Sequence, residues 1–437
     1  MRRRWGPLAV GAALVLGMAW TARTPDAGTG WRLAFVGLHL AGFTTLVAYL
    51  RRASVTVRQL LVTAVVLRLL ALPMLPTLSD DGYRYLWDGL IAAEADVSPY
   101  ALRPSAPELA PWHGEVVFER MNSPDYYSVY PPASQAVFGL SAALYRPLGW
   151  RAAWWALKGV LVVAELVGVV ALARWAGPTR AALYAWSPLA VVEIAGQGHT
   201  EALVIGGLGL VLGAGFWRLP WASVGATVAG LAKLYPLALL PSAWRREGRA
   251  GVVASAVLAG LLGVAVWSPD AAAHVRESLG LFFGTFDEYA APYRIAKAAL
   301  FPLVGESAGR VASVGLGVVF AAAVGLALAS DDGTPRSMRH VTAVVVVGFA
   351  LTATTLHPWY GLPVLFAIPL LQSQPIFWIV ILSSATYLDY VMPGSGTVAT
   401  VVGWGGGLGL WWMGRRRGRD SVGPGRHGVE EPLGRRL

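Results

Sequence analysis

The sequence predicts an all-α, polytopic integral membrane protein of about 12–13 transmembrane helices. Hydrophobic residues make up 55% of the 437 residues and charged residues only 14%, with a mean hydropathy of +0.53. A soluble globular chain carries about 25% charged residues. Several apolar runs reach the roughly 18 residues that a transmembrane helix needs. The chain has no cysteine, which excludes disulfides, thiolate metal sites and thiol nucleophiles.

The basic residues predict the orientation of the chain in the membrane. The net charge is +10, but the charge is clustered between apolar runs and does not indicate a nucleic-acid partner. Clustered arginines mark cytoplasmic loops. Both termini are therefore predicted to be cytoplasmic in a cell (plasma or inner) membrane, with residues 76–131 as a long extracytoplasmic loop carrying short juxtamembrane helices. The clusters are Arg2–Arg4; Arg51, Arg52 and Arg58; Arg245, Arg246 and Arg249; Arg336 and Arg339; Arg415–Arg417 and Arg419.

Apolar runs of span length organise residues 1–413 as a single transmembrane domain. Residues 132–147 are expected to form a lipid-hugging or re-entrant helix, because Pro131 and Pro132 precede them and a full span would reverse the next loop. Residues 219–243 are too few for two spans and fit a re-entrant or shortened hairpin. The predicted spans are 5–22, 31–50, 57–75, 152–173, 181–195, 201–217, 250–267, 307–329, 341–356, 360–372, 376–391 and 396–412. The first of these could instead be a signal peptide. The Arg/Gly-rich tail 414–437 is expected to be disordered.

The extracytoplasmic loop is the first candidate site. It holds nine of the 25 acidic residues, between Asp80 and Asp125, together with many tyrosines and tryptophans. Aromatic rings stack on the apolar faces of sugars, and carboxylates bind or deprotonate sugar hydroxyls. The composition therefore suits a carbohydrate site, and equally a solvated acidic loop whose aromatic residues lie at the bilayer surface.

The order of short motifs resembles that of a known family. The stretches are Ser79-Asp80-Asp81-Gly82-Tyr83-Arg84-Tyr85-Leu86-Trp87-Asp88-Gly89, Pro99-Tyr100, Tyr130-Pro131-Pro132, Gly198-His199-Thr200-Glu201, Lys233-Leu234-Tyr235-Pro236 and His357-Pro358-Trp359-Tyr360. Together they resemble bacterial polyprenol-phosphate-dependent mannosyltransferases of the GT-C glycosyltransferase superfamily, over residues of about 57–375. Two positions depart from that pattern: Glu201 replaces the usual Asp, and Ala95-Asp96-Val97-Ser98 stands where the family often has Gly-x-Asn.

This resemblance implies an inverting membrane hexosyltransferase. It implies transfer of a hexose, mannose first, from a polyprenyl-phosphate donor to a lipid or cell-envelope glycan acceptor on the outer face of the membrane. No cofactor is required, although a carboxylate-bound divalent cation near Asp80 and Asp81 stays an alternative; the seven scattered histidines predict no metal site. A transporter or flippase of lipid-linked sugars is the rival function, and a non-catalytic assembly subunit is a second one.

The acidic pair supplies the candidate catalytic residues. An inverting transfer needs one base for the acceptor hydroxyl, and the family pattern assigns that base to Asp81, with Asp80 as the second choice. Alternatively, the pair caps the helix predicted for residues 82–90. Arg84 and Asp88 stand four residues apart, so they are expected to form a surface ion pair. Alternatively, Arg84 binds the donor phosphate.

The later motifs supply the remaining candidates. Lys233 is one of only three lysines and lies in an apolar run, where a charge is costly and usually functional. It is expected to bind the donor phosphate, with snorkelling to the interface as the alternative. His357 is expected to assist it, or to act as an interfacial anchor. The predicted sugar and acceptor contacts are Tyr83, Tyr85, Trp87, Asp88, Tyr100, His199 and Glu201, the last two also being explicable as a polar pair at a helix end.

Overall fold

The computed structural model describes residues 6–21, 28–213, 220–285, 287–371 and 373–420, which form helices and connecting loops without strands. The predicted tail beyond residue 420 lies outside the described residues. The α-helices are α1 Gly6–Thr21, α2 Gly28–Leu50, α3 Val57–Ala71, α4 Asp81–Glu94, α5 Val116–Arg120, α6 Pro132–Ala142, α7 Tyr145–Leu148, α8 Trp150–Ala176, α9 Pro178–Ala185, α10 Pro188–Ala190, α11 Glu201–Gly213, α12 Trp221–Ala232, α13 Leu240–Val264, α14 Ala271–Thr285, α15 Ala291–Val304, α16 Ala308–Ala329, α17 Pro335–Thr352, α18 Leu362–Leu371, α19 Gln374–Leu382 and α20 Ser395–Asp420.

Within the described parts of the chain, four helical segments are long and apolar enough to cross a membrane: Gly30–Leu50, Trp150–Ala176, Tyr235–Val264 and Ala291–Ala329. Large apolar side chains point outward from them, with Val264 78% and Leu326 73% exposed. Contiguous exposed apolar surface of this kind suits contact with lipid. The structure thus agrees with an all-α membrane protein, while the predicted count of 12–13 spans and their orientation stay predictions.

Glycines bring the central helices into close contact. A Cβ on Gly168 of α8 would lie 2.6 Å from the Ile205 carbonyl oxygen of α11, and a Cβ on Gly209 would lie 2.6 Å from the Gly168 Cα. Gly207 of α11 and Gly225 of α12 meet in the same way. Small residues allow such backbone approach between helices in lipid, where hydrophobic association is weak. The α8–α11–α12 unit is therefore the packed centre on which the loops are mounted.

A buried ion pair joins three helices beside this centre. The Arg68 guanidinium of α3 donates to both Glu165 oxygens of α8 at 2.5 and 2.6 Å, and to the Ala185 carbonyl oxygen at 2.8 Å. The Tyr184 hydroxyl of α9 donates to Glu165 at 2.9 Å, and all three side chains are fully buried. Since each charge has its partner and further hydrogen bonds, the pair is satisfied, whereas loss of one partner would leave a buried charge uncompensated.

The segment predicted as a span at 181–195 is not a continuous helix. α9 ends at Ala185, and the Ser187 hydroxyl then caps α10 by accepting from the Ala190 amide at 3.0 Å. A π-helical turn, Val191–Gly196, follows. Pro188 explains the break, because proline has no N–H for the preceding turn. Two helices that the sequence analysis did not assign, α14 and α15, lie between the predicted spans 250–267 and 307–329.

The two segments without an assigned span are short helices. α6 packs on α4, where Gly89 leaves no room for a Cβ beside the Phe138 carbonyl. α12 ends at Ala232, the backbone of the next residue, Lys233, is extended (φ −146°, ψ 128°), and the chain returns through the turn Tyr235–Leu239 into α13. Glu247 accepts hydrogen bonds from the first amides of α12, Ala222 and Ser223, at 2.8 and 2.9 Å. The return segment therefore reaches back to the start of α12, as in a short hairpin.

Polar contacts mark the two ends of the helical body. At one end Arg246 forms a bidentate ion pair with Asp331, at 2.7 and 2.8 Å. After a kink at Gly248 (φ 60°), α13 continues for 16 residues, about 24 Å, and the Ser98 hydroxyl then donates to the Val266 carbonyl at 2.7 Å. The loop that follows α4 and the arginine-rich turn therefore lie at opposite ends of α13.

This separation supports a test of orientation. We expect Asp125→Cys to react with an impermeant thiol reagent in intact cells, and Arg249→Cys to react only after permeabilisation. Both positions are exposed, and the native chain, which has no cysteine, is the blank. Labelling of the Arg249→Cys protein in intact cells would contradict the predicted orientation.

Candidate active site

A buried lysine positions the loop that carries the acidic pair. Lys158 of α8 is fully buried, and its ammonium donates to the carbonyl oxygens of Leu72 and Met74 at 2.6 Å each and of Gly196 at 3.2 Å. The Trp154 indole N–H also donates to Met74, at 3.0 Å. A lysine has three donors, so Lys158 binds the end of α3 and the π-helical turn together with no N–H left over.

Gln197 holds the remainder of this loop. Its side-chain oxygen accepts from the Thr77 and Leu78 amides at 3.0 and 2.9 Å, and its nitrogen donates to the Leu75 carbonyl at 3.2 Å. The next residue, Gly198, has φ +72°, and a Cβ there would lie 2.6 Å from the Trp154 ring. Both the backbone angle and the lack of space require glycine at this point.

The loop delivers Asp80 and Asp81 to the start of α4. The Asp81 amide donates to Ser79 Oγ at 3.2 Å, and the partly exposed Asp81 carboxylate accepts from Asn122 Nδ2 at 3.3 Å. Asp80 occupies the cap position but makes no capping hydrogen bond, so the capping alternative has no support for Asp80. Desolvation and the adjacent Asp81 charge raise the pKa of Asp80 above its ordinary value, which Arg32 opposes.

Lys233 and Glu201, predicted from separate motifs, form one ion pair. The Lys233 ammonium lies 3.0 Å from Glu201 Oε1, 4.8 Å from the centre of the Tyr360 ring and 6.0 Å from that of Tyr130. Asp81 interacts electrostatically with Lys233, Tyr130 and Tyr360. Asp81 and Lys233 therefore lie around one space that is lined by aromatic rings.

Three rings form a stack beside this space. Trp359 lies between His199, at 4.1 Å between ring centres and 9° between planes, and His357, at 4.6 Å and 17°. A carboxylate meets each histidine: Glu193 Oε2 lies 3.3 Å from His199 Nε2, and Glu288 Oε2 lies 3.1 Å from His357 Nδ1. The stack thus joins a buried histidine to one that is 14% exposed.

Tyr85 and Tyr130 form an aromatic wall near Asp81. Tyr85 stacks on Phe138 at 4.6 Å, and the Tyr130 ring meets Tyr85 edge-on at 4.8 Å. The Tyr100 hydroxyl donates to the Tyr130 carbonyl at 2.6 Å. Burial raises the pKa of Tyr130 well above its ordinary value, so its hydroxyl stays protonated and can donate.

Four of the predicted site residues, Arg84, Asp88, Tyr83 and Trp87, make their main contacts away from the space between Asp81 and Lys233. Arg84 and Asp88 form a buried ion pair at 2.7 Å, not a surface pair. Arg84 also donates to the Ser123 carbonyl, and Asp88 accepts from Ser128 and Gln135. This geometry favours a role in holding the loop against α4. Tyr83 and Trp87 pack against other aromatic rings: Tyr83 lies against Trp150 at the start of α8, and Trp87 lies against Phe118 of α5.

Several residues of this region were missed in the sequence. Lys158 is the second lysine in an apolar run, so the argument made for Lys233 applied to it equally. Glu193 and Gln197 also lie in an apolar segment. Arg32 had no such signal: its guanidinium donates to the Tyr387 carbonyl at 3.3 Å and lies 4.8 Å from the Tyr390 ring. Its electrostatic contact with Asp80 adds a second cation near the acidic pair.

No family model, no curated protein and no solved structure matches this chain. Among the described residues, no group of three or more His, Asp or Glu side chains could hold a metal ion. The functional argument consequently depends on the motifs and on the geometry described above.

The Lys158 contacts predict a large stability effect. Lys158→Met would leave the carbonyl oxygens of Leu72 and Gly196 without their donor, while Met74 would keep the Trp154 indole N–H. A buried unsatisfied group costs about 1–3 kcal/mol. We expect a lower unfolding temperature in detergent, together with faster proteolysis of the loop at 72–80. The matched control is Lys297→Met, which removes a lysine that is 43% exposed and paired with Asp287. Equal unfolding temperatures for the two variants would contradict the assigned role.

Proposed function

We propose that this protein is an inverting membrane glycosyltransferase. It transfers a hexose, mannose first, from a polyprenyl-phosphate donor to a lipid or cell-envelope glycan on the extracytoplasmic side. The observation that supports this most directly is the common space shared by Asp81, the Lys233–Glu201 pair and the tyrosines Tyr130 and Tyr360. One carboxylate, one ammonium and an aromatic lining are what such a transfer requires of the protein.

Asp81 acts as the general base. It removes the proton from the acceptor hydroxyl as that oxygen bonds to the anomeric carbon, and the bond from that carbon to the phosphate oxygen breaks on the opposite face. Asp81 is suited to this because it is partly exposed and the residue that donates a hydrogen bond to it, Asn122, is neutral. The family that the motifs resemble has its base at the position of Asp81, so Asp80, whose pKa is raised by desolvation and by the adjacent Asp81 charge, stays the second choice.

Lys233 and His357 act on the leaving phosphate. Negative charge on that group grows as the glycosidic bond breaks, so a preorganised cation stabilises the transition state more than the ground state. Glu201 holds Lys233 in position, and Trp359 orients His357 by stacking. Tyr85 and Tyr130 form the wall against which the sugar lies, with His199 behind Trp359.

The rival functions make different predictions. A flippase of lipid-linked sugars would move the donor but form no glycosidic bond, and an assembly subunit would do neither. The deciding experiment is incubation of membranes containing the protein with radiolabelled polyprenyl-phosphate mannose, followed by mass spectrometry of the product. Loss of donor without a new mannosylated product would favour the transport alternative.

Asp81→Asn keeps the volume of the side chain and its hydrogen bond with Asn122 but cannot accept the proton. General-base catalysis contributes about 10²–10⁴-fold, so we expect single-turnover transfer to fall by about that factor while donor binding persists. Asp80→Asn should cost less, and Asp125→Asn, an exposed loop carboxylate, should cost nothing. Normal turnover in both Asp80→Asn and Asp81→Asn would remove the pair from the mechanism.

Lys233→Met removes the cation from the leaving group. A hydrogen bond to a charged group contributes roughly 1.5–3 kcal/mol, so we expect transfer to fall roughly 10- to 150-fold, with a higher donor KM and lower kcat. Because this change also leaves Glu201 without its partner, the double variant Lys233→Met/Glu201→Gln provides a second measurement. Wild-type donor KM and kcat in both proteins would contradict the assignment.

A further inference from the structure

His357 lies beside the carboxylate of Glu288, a residue that no sequence motif indicated. The Glu288 carboxylate lies 3.1 Å from His357 Nδ1, and the Glu288 carbonyl accepts from the Leu356 amide at 2.9 Å. Main chain and side chain of Glu288 therefore both bind the segment that carries His357. The two side chains are 26% and 14% exposed, so water screens this contact only in part.

The neighbouring residue fixes Glu288 rigidly. Tyr289 has φ +54°, an uncommon angle for a bulky residue that persists only where the surroundings enforce it. Its hydroxyl donates to the Ile379 carbonyl at 2.7 Å, and its carbonyl accepts from the Trp404 indole at 2.9 Å. Gly403 leaves space for the Tyr289 ring that a side chain would occupy. Glu288 is therefore presented from a constrained turn, not from an adaptable loop.

Two contacts together define the orientation of the His357 ring. Stacking on Trp359 sets the plane of the imidazole, and the Glu288 carboxylate, which lies 3.1 Å from Nδ1, favours the rotation within that plane that keeps Nδ1 beside it. When Nδ1–H donates to the carboxylate, the second N–H of a charged imidazolium, at Nε2, is available to an anion. An imidazolium that lies between the Glu288 carboxylate and an anionic ligand is electrostatically favourable. A carboxylate that binds one ring nitrogen of a histidine also fixes the direction in which the other nitrogen points.

We infer that Glu288 is a positioning residue for donor binding, which orients the His357 imidazolium so that Nε2–H donates to the phosphate of the polyprenyl-phosphate donor. This inference rests on the proposed function, because it takes the donor phosphate as the ligand of His357. It predicts that Glu288, which lies outside all the motifs, affects the affinity of the protein for the donor.

The test is a double-mutant cycle on the full-length protein in detergent. Polyprenyl phosphate is the binding probe, read as the ligand-induced rise in unfolding temperature, and polyprenyl-phosphate mannose is the transfer substrate. Glu288→Gln is expected to lower kcat/KM for the donor about 10-fold, with a higher KM and a lower kcat, because His357 contacts the phosphate in the ground state and more strongly in the transition state. Glu288→Asp should recover part of the affinity. The matched control, Asp287→Asn, changes the adjacent carboxylate, which pairs with the exposed Lys297, and should leave the KM unchanged.

The cycle separates positioning from a merely structural role. If Glu288 acts through His357, then Glu288→Gln adds no further loss in a His357→Gln background. Equal losses in both backgrounds, or a wild-type KM for Glu288→Gln, would overturn the inference while leaving the proposed function intact. A wild-type protein that neither transfers mannose nor is stabilised by polyprenyl phosphate would overturn both.

Discussion

The candidate site depends on one buried ammonium group. Lys158 lies in an apolar helix, where an uncompensated charge is costly, and it is tolerated because three carbonyl oxygens take its three N–H groups. Two of those carbonyls lie just after the end of α3, and the third ends the π-helical turn. A single side chain thus couples the segment before Asp80 to the segment before His199, so the acidic pair and the aromatic stack keep fixed relative positions.

The charges around the site are paired in a way that preserves their chemical roles. An ammonium in direct contact with Asp81 would stabilise its carboxylate and weaken it as a base. Lys233 instead contacts Glu201 at 3.0 Å, and the side chain that donates to Asp81 is the neutral Asn122. Glu201 stands where the family that the motifs resemble usually has Asp. Its longer side chain reaches the Lys233 ammonium. In the proposed reaction, this arrangement would keep a cation near the leaving group and a proton acceptor near the nucleophile.

Sequence reasoning found the classes of residue but not their partners. The all-α membrane character follows from composition, and the motifs nominated Asp81, Lys233, His199 and His357, which the fold gathers from α4, α12 and two loops. Arg84 and Asp88 could not be assigned from spacing alone, because an i,i+4 pair has the same pattern on an exposed face as on a buried one. Glu288 and Arg32 were out of reach, since their roles arise from contacts across roughly 70 and 355 residues of chain.

The irregular segment between α9 and α11 explains how one stretch of chain serves several partners. In a regular α-helix, residues 193, 197 and 201 would lie on one stripe, with residue 199 on the opposite face. The π-helical turn and the positive φ of Gly198 break that pattern. Glu193 consequently accepts from the Tyr387 hydroxyl, Gln197 holds the loop at 75–78, and His199 stacks on Trp359. In a straight helix of the same sequence, Glu193 and Gln197 would meet one neighbour and His199 would point away from it. The backbone irregularity is therefore what lets this stretch bind the loop at 75–78, Tyr387 and Trp359 at once.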